Sequence, residues 1–416
     1  MRRICNFILF LTLVSCESYS ILQDVPMNSG IKNTIERAKT LAQISWIPLS
    51  NLEANPEQTY PYGFQVLGAP YSSVKEIQTY IGQDVSLYTF LTSTKNPYSL
   101  LYTERINQAP YKGTNCRLYY GVVCSSAIMY ALGISIPYST RLFVETNLFK
   151  RCEKQSPDDI FLGSILLEPG HMLMVVGIER DSNGKIYSVD LFEASSSGTH
   201  INNVSYNQLY ERWISKDIVQ YEYLDIANNT ESVNFSSDIN ILNQDISNRK
   251  FDLCPNKGDK SSYSLNEKVV VDILDIEMYD TAELFRNESQ INLYDISLLS
   301  DNKIEILDLP PGNYSMRLTK NGTIYSDFVY FEVLDNSTNV EVTDEIVNVK
   351  CESINAIPEF ISINSVIDGA ALYYYDIIEQ KGEYQISVKN EYKENTYIRV
   401  IYKGEYGRVY YQQKLM

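Results

Sequence analysis

The feature that most constrains this fold is a change in sequence pattern near residue 228. Downstream of the polar stretch 228–232, almost every periodic segment alternates apolar and polar residues, as a half-buried strand does. These strand-like segments are 269–274, 290–298, 314–319, 327–334, 384–389 and 397–402. Clusters of Pro, Gly, Asn and Lys separate them at 310–313, 320–322 and 381–382, as expected for turns. The pattern therefore predicts all-β sandwiches in the second half of the chain.

The length and this change of pattern together predict three folded domains. The 416 residues are enough for two or three separate cores. Residues 307–318 look like the strand and turn arrangement of immunoglobulin-like or fibronectin-like modules, and we predict two such sandwiches, at 229–335 and 336–416. Upstream, helical spacing over 31–46 is followed by mixed helical and strand-like segments. This mixture predicts an α+β domain over 29–228.

The N-terminal residues are typical of an export signal. Basic residues at positions 2 and 3 precede an apolar run, 4–15, that is too short to span a bilayer as a helix. The sequence Leu13-Val14-Ser15-Cys16 resembles a bacterial lipobox. We expect a signal peptide at 1–15, lipidation of Cys16 and an anchor linker at 16–28; an ordinary secretory peptide with an accidental cysteine is the alternative. The protein is then held in the bacterial cell envelope by acyl chains only, on the periplasmic or surface face.

Charge and cysteine count limit the partners and the redox state. The formal net charge is -17, which repels nucleic acid and anionic lipid, so neither is an expected partner. Removal of the signal leaves an odd number of cysteines besides Cys16, which leaves at least one thiol unpaired. Disulfides between Cys116 and Cys152 or between Cys254 and Cys351 are possible pairings, and four free thiols are equally compatible with the sequence.

Cys124 is the candidate nucleophile. An apolar stripe at Ala127, Ile128, Ala131 and Leu132 predicts a helix that begins at this cysteine and stops at Gly133. In the first turn, the unpaired backbone N–H groups and the helix dipole favour a thiolate and can also hold an oxyanion. The alternative is a small buried side chain without a chemical role.

His171 and Glu193 are the candidate base and carboxylate, on a predicted hairpin of strands 171–178 and 186–194. A two-residue turn at Asn183-Gly184 places Glu193 opposite Met174, so that its side chain and that of His171 point to opposite faces. A three-residue loop with Gly184 left-handed shifts the register by one residue, and the two side chains then share a face. We predict the shared face, through the bulged loop or a kink at Gly170.

Metal and cofactor chemistry are not indicated. The chain has two histidines and lacks the spacing of C-x-x-C or H-x-x-x-H metal sites, so we expect neither a metal nor a cofactor. The second histidine, His200, is interpreted as a loop residue. The 34 tyrosines are interpreted mainly as strand formers, with a glycan-stacking face on the β-modules as the sharper alternative.

Around Cys124, His171 and Glu193 the sequence resembles the NlpC-type papain-fold cysteine peptidases and the related CHAP amidases. The full chain is similar to lipoproteins of Bacteroidetes. The resemblance rests on the order of Gly68-Ala69-Pro70-Tyr71, Cys-Ser at a helix start, Gly-His before an apolar strand, and a polar residue before Ala. It implies a papain-like fold for 29–228 and the roles of nucleophile, base and third polar residue for Cys124, His171 and Glu193. Substrate or oxyanion support then falls to Tyr71 and Ser125.

Two departures from the family pattern concern the surroundings of the cysteine. Val123 stands where the family usually has Asp. The interval between Tyr71 and Cys124 is much longer than usual, and we expect its segment 83–111 to form a lid or cleft wall.

The leading hypothesis is a lipid-anchored cysteine hydrolase that cleaves amide bonds in peptidoglycan peptides, or another peptide substrate, through a thioester. A catalytically inactive adhesin or glycan-binding lipoprotein is the alternative from a different class. An acyltransferase begins with the same thioester and is not distinguished from a hydrolase by the sequence. The β-modules are interpreted as a spacer that lifts the N-terminal domain away from the membrane; the alternative is that they bind glycans.

Overall fold

The computed structural model describes residues 29–55, 58–72, 79–102, 120–226, 235–299, 301–343, 346–366, 371–377, 379–380, 383–389 and 395–415. Strand accounts for 44% of these residues and helix for 21%. The prediction of an α+β papain-like domain over 29–228 is therefore wrong. The reason is that six strands between residues 149 and 223 form one antiparallel sheet, and both downstream modules consist of strands. The expected signal at 1–15, linker at 16–28, lipidation of Cys16 and thiol of Cys116 lie outside the described residues.

The N-terminal half is built around this sheet, in the order β5-β10-β6-β7-β8-β9. The elements up to the sheet are α1 (Ser29–Gln43), β1 (Ser45–Trp46), β2 (Leu52–Asn55), β3 (Gln58–Tyr60), β4 (Val66–Leu67), α2 (Leu87–Ser93), α3 (Cys124–Leu132) and α4 (Thr140–Phe143). The sheet and its helix are β5 (Phe149–Arg151), β6 (Ile165–Glu168), β7 (His171–Arg180), β8 (Ile186–Ser195), β9 (Gly198–Ser205), α5 (Tyr206–Ser215) and β10 (Val219–Tyr223).

Both faces of this sheet are covered by apolar side chains. Met172, Met174 and Phe192 belong to a core shared with α1 and α3. The alternate residues Leu173 and Leu191 belong to a second core with α5. Because successive side chains of a strand point to opposite faces, covering both faces needs the nearly continuous apolar run that β7 has.

The first downstream sandwich packs a sheet β11-β13-β16 against a sheet β12-β19-β17-β14-β15, with β18 beside β17. Helix α6 (Phe235–Asn248) precedes this sandwich, and its buried Ile239 and Ile246 belong to the core of the N-terminal half. The strands of the sandwich are β11 (Leu253–Pro255), β12 (Ser261–Ser264), β13 (Val269–Ile273), β14 (Thr281–Arg286), β15 (Ser289–Asp295), β16 (Lys303–Ile306), β17 (Gly312–Lys320), β18 (Ile324–Tyr325) and β19 (Val329–Leu334). Side chains of both sheets, including Val271, Met316 and Phe331, form one core.

The second sandwich packs a sheet β20-β21-β25-β24 against a sheet β23-β22-β26-β27. Its strands are β20 (Thr338–Val342), β21 (Ile346–Cys351), β22 (Ile357–Ser365), β23 (Ala371–Asp376), β24 (Glu379–Gln380), β25 (Glu383–Lys389), β26 (Thr396–Lys403) and β27 (Arg408–Leu415). Val349, Ile361 and Val400 share its core. Two facing sheets around one core give both modules the immunoglobulin-like or fibronectin-like type that the sequence predicts.

The segment 79–102 joins the N-terminal half to both sandwiches. The backbone N–H of Leu100 donates to the carbonyl of Asn256 at 2.9 Å, and Asn96 Nδ2 donates to Asp272 Oδ2 at 2.9 Å. Towards the second sandwich, the backbone N–H of Arg408 donates to the carbonyl of Asp84 at 2.9 Å. Much of the described part of 83–111, residues 83–102, packs against the two sandwiches, and the expectation that this segment forms a lid or cleft wall stays a prediction. Residues 103–111 lie outside the described residues.

The described cysteines, Cys124, Cys152, Cys254 and Cys351, are free thiols, so the possible disulfide between Cys254 and Cys351 is not formed. Burial raises the pKa of the Cys254 thiol strongly, with nearby carboxylates adding to the effect. Within the described ranges, no helix has the length and apolar character needed to cross a membrane.

Candidate active site

Helix α3 begins at Cys124, as the apolar stripe predicts. Val123 is extended, and its backbone N–H donates to the Ser126 Oγ at 2.9 Å, which closes the first turn. The helix ends at Gly133, whose φ of 75° is the left-handed conformation that glycine adopts without steric cost. Cys124 is thus held at the positive end of the helix dipole, and 5% of its surface is exposed.

The hairpin of β7 and β8 has the register of the three-residue loop. The backbone N–H of Asp181 donates to the carbonyl of Lys185 at 2.8 Å, and Gly184 has a φ of 78°. Two bulges, one in each strand, then cancel, so that Met174 pairs with Phe192. This register places Glu193 opposite residue 173, on the sheet face of residue 171. The loop chemistry therefore decides that the imidazole and the carboxylate meet.

The structure brings Cys124, His171 and Glu193 together. Nε2 of His171 lies 2.7 Å from Glu193 Oε2, and 23% of the His171 side chain and 7% of the Glu193 side chain are exposed. The Cys124 thiol lies close enough to the imidazole to help raise its pKa. Since Nε2 binds the carboxylate, Nδ1 is the ring nitrogen left for the sulfur. Burial by itself lowers the pKa of His171, but the interactions with Cys124 and with the Glu193 carboxylate outweigh it and raise that pKa to about 9.

Glu193 is surrounded by donors. Asn202 Nδ2 donates to its Oε1 at 2.9 Å, Nε2 of His200 lies 3.5 Å from the same oxygen, and Arg212 Nη2 lies 3.5 Å from Oε2. Burial alone raises the pKa of Glu193, but hydrogen bonds with His171 and His200 and the charge of Arg212 prevail and hold it far below its usual range. The carboxylate is therefore ionised at neutral pH.

Three of these partners were missed or misread in the sequence. His200 is not a loop residue: it lies on β9 and pairs directly with Glu193 across the strands. Asn202, two residues further, lies on the same face of β9, and strand alternation from His200 is the signal that finds it. Arg212 stands on α5 between the buried Leu209 and Trp213, where a charged residue on an apolar stripe is an informative exception.

The two predicted support residues are near Cys124. Tyr71 forms a bridge with Val122, and burial together with the nearby Cys124 raises its pKa to about 12. The segment that carries it passes under β9, because a Cβ on Gly68 would lie 2.1 Å from the carbonyl oxygen of Thr199. Ser125 is the buried second residue of α3. Its neighbour Ser126 has the capping role, so the contribution of Ser125 to substrate or oxyanion binding stays a prediction.

The arrangement has the parts of a nucleophilic thiol site. A sulfur at a helix N-terminus lies against an imidazole whose raised pKa favours the imidazolium, and an ionised carboxylate orients that ring. Among the described residues, no cluster of three or more His, Cys, Asp or Glu side chains is arranged to hold a metal ion.

Two cavities of about 300 and 450 Å³ lie elsewhere, where the segment 79–102 meets the sandwiches. Neither is lined by Cys124, His171 or Glu193.

Comparison with known proteins identifies no family. No protein-family model and no curated protein matches the chain. Similar solved structures include an immunoglobulin-like domain of mouse leukocyte-associated immunoglobulin-like receptor 1, at 19% identity over 18% of this chain and 88% of that chain, with a TM-score of 0.15. The fibronectin(III)-like modules of Clostridium thermocellum CbhA align at 9% identity over 36% and 86% of the two chains, with a TM-score of 0.17.

A third structure is native alpha-2-macroglobulin from Escherichia coli, domains MG0-NIE-MG1, at 8% identity over 64% of this chain and 97% of that chain, with a TM-score of 0.19. The structures named here are not papain-like peptidases. At such TM-scores none of them supports an argument about function.

Proposed function

We propose that this protein is a cysteine hydrolase that cleaves amide bonds through Cys124, His171 and Glu193. The observation that carries the proposal is the 2.7 Å contact between the His171 imidazole and the buried Glu193 carboxylate, beside a thiol at a helix N-terminus that helps raise the histidine pKa to about 9. A purely structural cysteine has no need of a basic partner oriented by a buried carboxylate.

The reaction follows from the geometry. The Cys124 sulfur attacks the carbonyl carbon of the amide, and the developing oxyanion is held by N–H groups at the start of α3. As the C–N bond breaks, His171 gives its proton to the leaving amine, and a thioester remains. Water then attacks the thioester while His171 accepts its proton, which releases the carboxylic acid and restores the Cys124 thiolate beside the protonated imidazole. Glu193 stays ionised throughout and orients the ring.

We further propose peptidoglycan peptides as the substrate class and the cell envelope as the location, with the protein anchored through Cys16. The resemblance to NlpC-type and CHAP enzymes and the lipobox-like sequence support this assignment. The immunoglobulin-like modules are consistent with an extracellular or envelope location, since such sandwiches are common in cell-surface proteins.

The nucleophile is tested by iodoacetamide labelling at neutral pH, read by mass spectrometry of each cysteine-containing peptide. Cys124 is expected to react fastest, and Cys124→Ala to lose that label. Cys152→Ala is the control, because Cys152 is more exposed than Cys124 but lies at no helix N-terminus, and burial raises its thiol pKa. Equal labelling rates at Cys124 and Cys152 would contradict a specially reactive thiol.

The substrate class is tested by incubating purified sacculi with a chain that begins at Ser29, followed by mass spectrometry of released fragments. Release of peptide fragments that Cys124→Ala does not release supports the hydrolase. Binding of the same chain to sacculi or to insoluble glycans without any release, in both variants, favours the glycan-binding alternative.

A further inference from the structure

We infer that Arg212 is a positioning residue of the Cys124 site, which holds Glu193 in place by binding it together with Glu168. The inference rests on the proposed thiol chemistry but concerns a residue outside the reacting groups. Nothing in the sequence motif around the cysteine or the histidine points to this arginine.

The contacts place the guanidinium across the strand that carries the base. Glu168 ends β6 and pairs directly with His171 at the start of β7, while Glu193 lies on the next strand, β8. Arg212 Nε donates to Glu168 Oε1 at 2.5 Å, and its Nη2 lies 3.4 Å from Glu168 Oε2 and 3.5 Å from Glu193 Oε2. One cation thus bridges two carboxylates on either side of His171.

Charge and burial explain why such a bridge is needed. The Glu168 and Glu193 side chains are each 7% exposed, so water screens the repulsion between their negative charges only weakly. Without a cation between them, they would repel each other and the carboxylate of Glu193 would turn away or take up a proton. His200 and Asn202 contact Glu193 from β9, but on its other oxygen, so they do not replace the bridge.

Helix α5 sets the position of the guanidinium. Ser205 Oγ accepts the Gln208 backbone N–H, and the Gln208 side chain accepts the Ser205 N–H, so the helix start is fixed. Leu209 and Trp213 anchor the helix in the core on this face of the sheet. Arg212 lies between these two anchors, and its flexible side chain is held by a rigid element.

The test measures the alkylation rate of Cys124 at pH 7 in the full chain, which needs no knowledge of the substrate. Arg212→Met is expected to slow alkylation by at least about tenfold, since misplacing a reacting group by an ångström costs up to about 100-fold. Arg212→Lys should recover part of the rate, because it keeps the charge but loses the two-pronged contact. Arg151→Met, an exposed arginine on β5 of the same sheet, should leave the rate unchanged.

A double-mutant cycle separates positioning from a general structural role. If Arg212 acts through Glu193, Arg212→Met has no further effect on the rate in the Glu193→Gln background. Additive losses there, or an unchanged rate in Arg212→Met alone, would overturn the inference. Urea denaturation shows whether each variant is folded. If Arg212→Met does not fold, Arg212→Lys takes its place in the cycle. Non-additive rates in a protein that hydrolyses nothing would refute the proposed function and leave this inference standing.

Discussion

Replacing Glu193 by Gln should lower the pKa of His171 while leaving the ring in place. The carboxylate lies 2.7 Å from Nε2 and is one of the two partners that raise the histidine pKa from 6.5 to about 9. Gln keeps the size and a hydrogen-bonding oxygen but removes the negative charge. The other partner, the Cys124 sulfur, remains, so the pKa should fall only part of the way to its ordinary value.

The magnitude follows from the rise of the pKa from 6.5 to about 9. If Glu193 supplies about half of that rise, the pKa falls by roughly one unit, which is about 1.4 kcal/mol of interaction between the imidazolium and the carboxylate. At pH 8.5 the imidazolium fraction then drops from about three quarters to about one quarter. Such a change is large enough to follow directly by titration.

The assay is histidine-ring NMR, which suits this chain because it has two histidines. His200→Gln assigns the two signals, and the His171 signal is then followed between pH 5 and 10 in the unaltered chain and in Glu193→Gln. A His171 signal that titrates near 6.5 in the unaltered chain, or an equal pKa in both proteins, would refute the proposed coupling between the two side chains.

Three further outcomes are expected. Gly68→Ala should destabilise the protein by about 1–3 kcal/mol, since residue 68 has a φ of 82° and its Cβ would overlap Thr199; urea denaturation measures the loss, and an unchanged midpoint contradicts the close contact. Arg408→Met should lower the free energy of unfolding by about 3–5 kcal/mol, because the buried Asp84 carboxylate, 3.6 Å from Arg408 Nη1, loses its ion-pair partner. Equal stability in urea denaturation would contradict a tight contact between segment 79–102 and the second sandwich. The raised pKa of His171 contributes stability that is complete below pH 6.5 and is lost as the pH rises through about 9. Between these pH values, the melting temperature of the unaltered chain should therefore fall more steeply than that of His171→Gln.

Local sequence patterns gave the parts of the candidate site. The apolar stripe and Gly133 predict a helix that begins at Cys124, and loop chemistry at Gly184 predicts the register that joins His171 and Glu193. These features depend on spacings of a few residues, which the sequence records directly. The strand alternation after residue 228 predicts the sandwiches for the same reason.

The class of the N-terminal fold and the contacts of 79–102 with the sandwiches were not predictable in this way. The family resemblance implies a papain-like domain, but the N-terminal half is built around one six-stranded antiparallel sheet, and much of segment 79–102 packs against the two sandwiches. Side chains of the second sandwich, Phe360 and Ile401, even complete the core of the N-terminal half. Contacts over such distances along the chain leave no periodic signal.

The sequence by itself determined which short elements form and which reactive side chains they carry, because helix caps, strand alternation and turn glycines act within a few residues. Only the tertiary structure decided that Arg212 and His200 surround Glu193, and that the sandwiches pack on the N-terminal half. Those contacts depend on how α5 docks on the sheet and how separate cores meet, where burial and charge pairing between distant residues outweigh local preference.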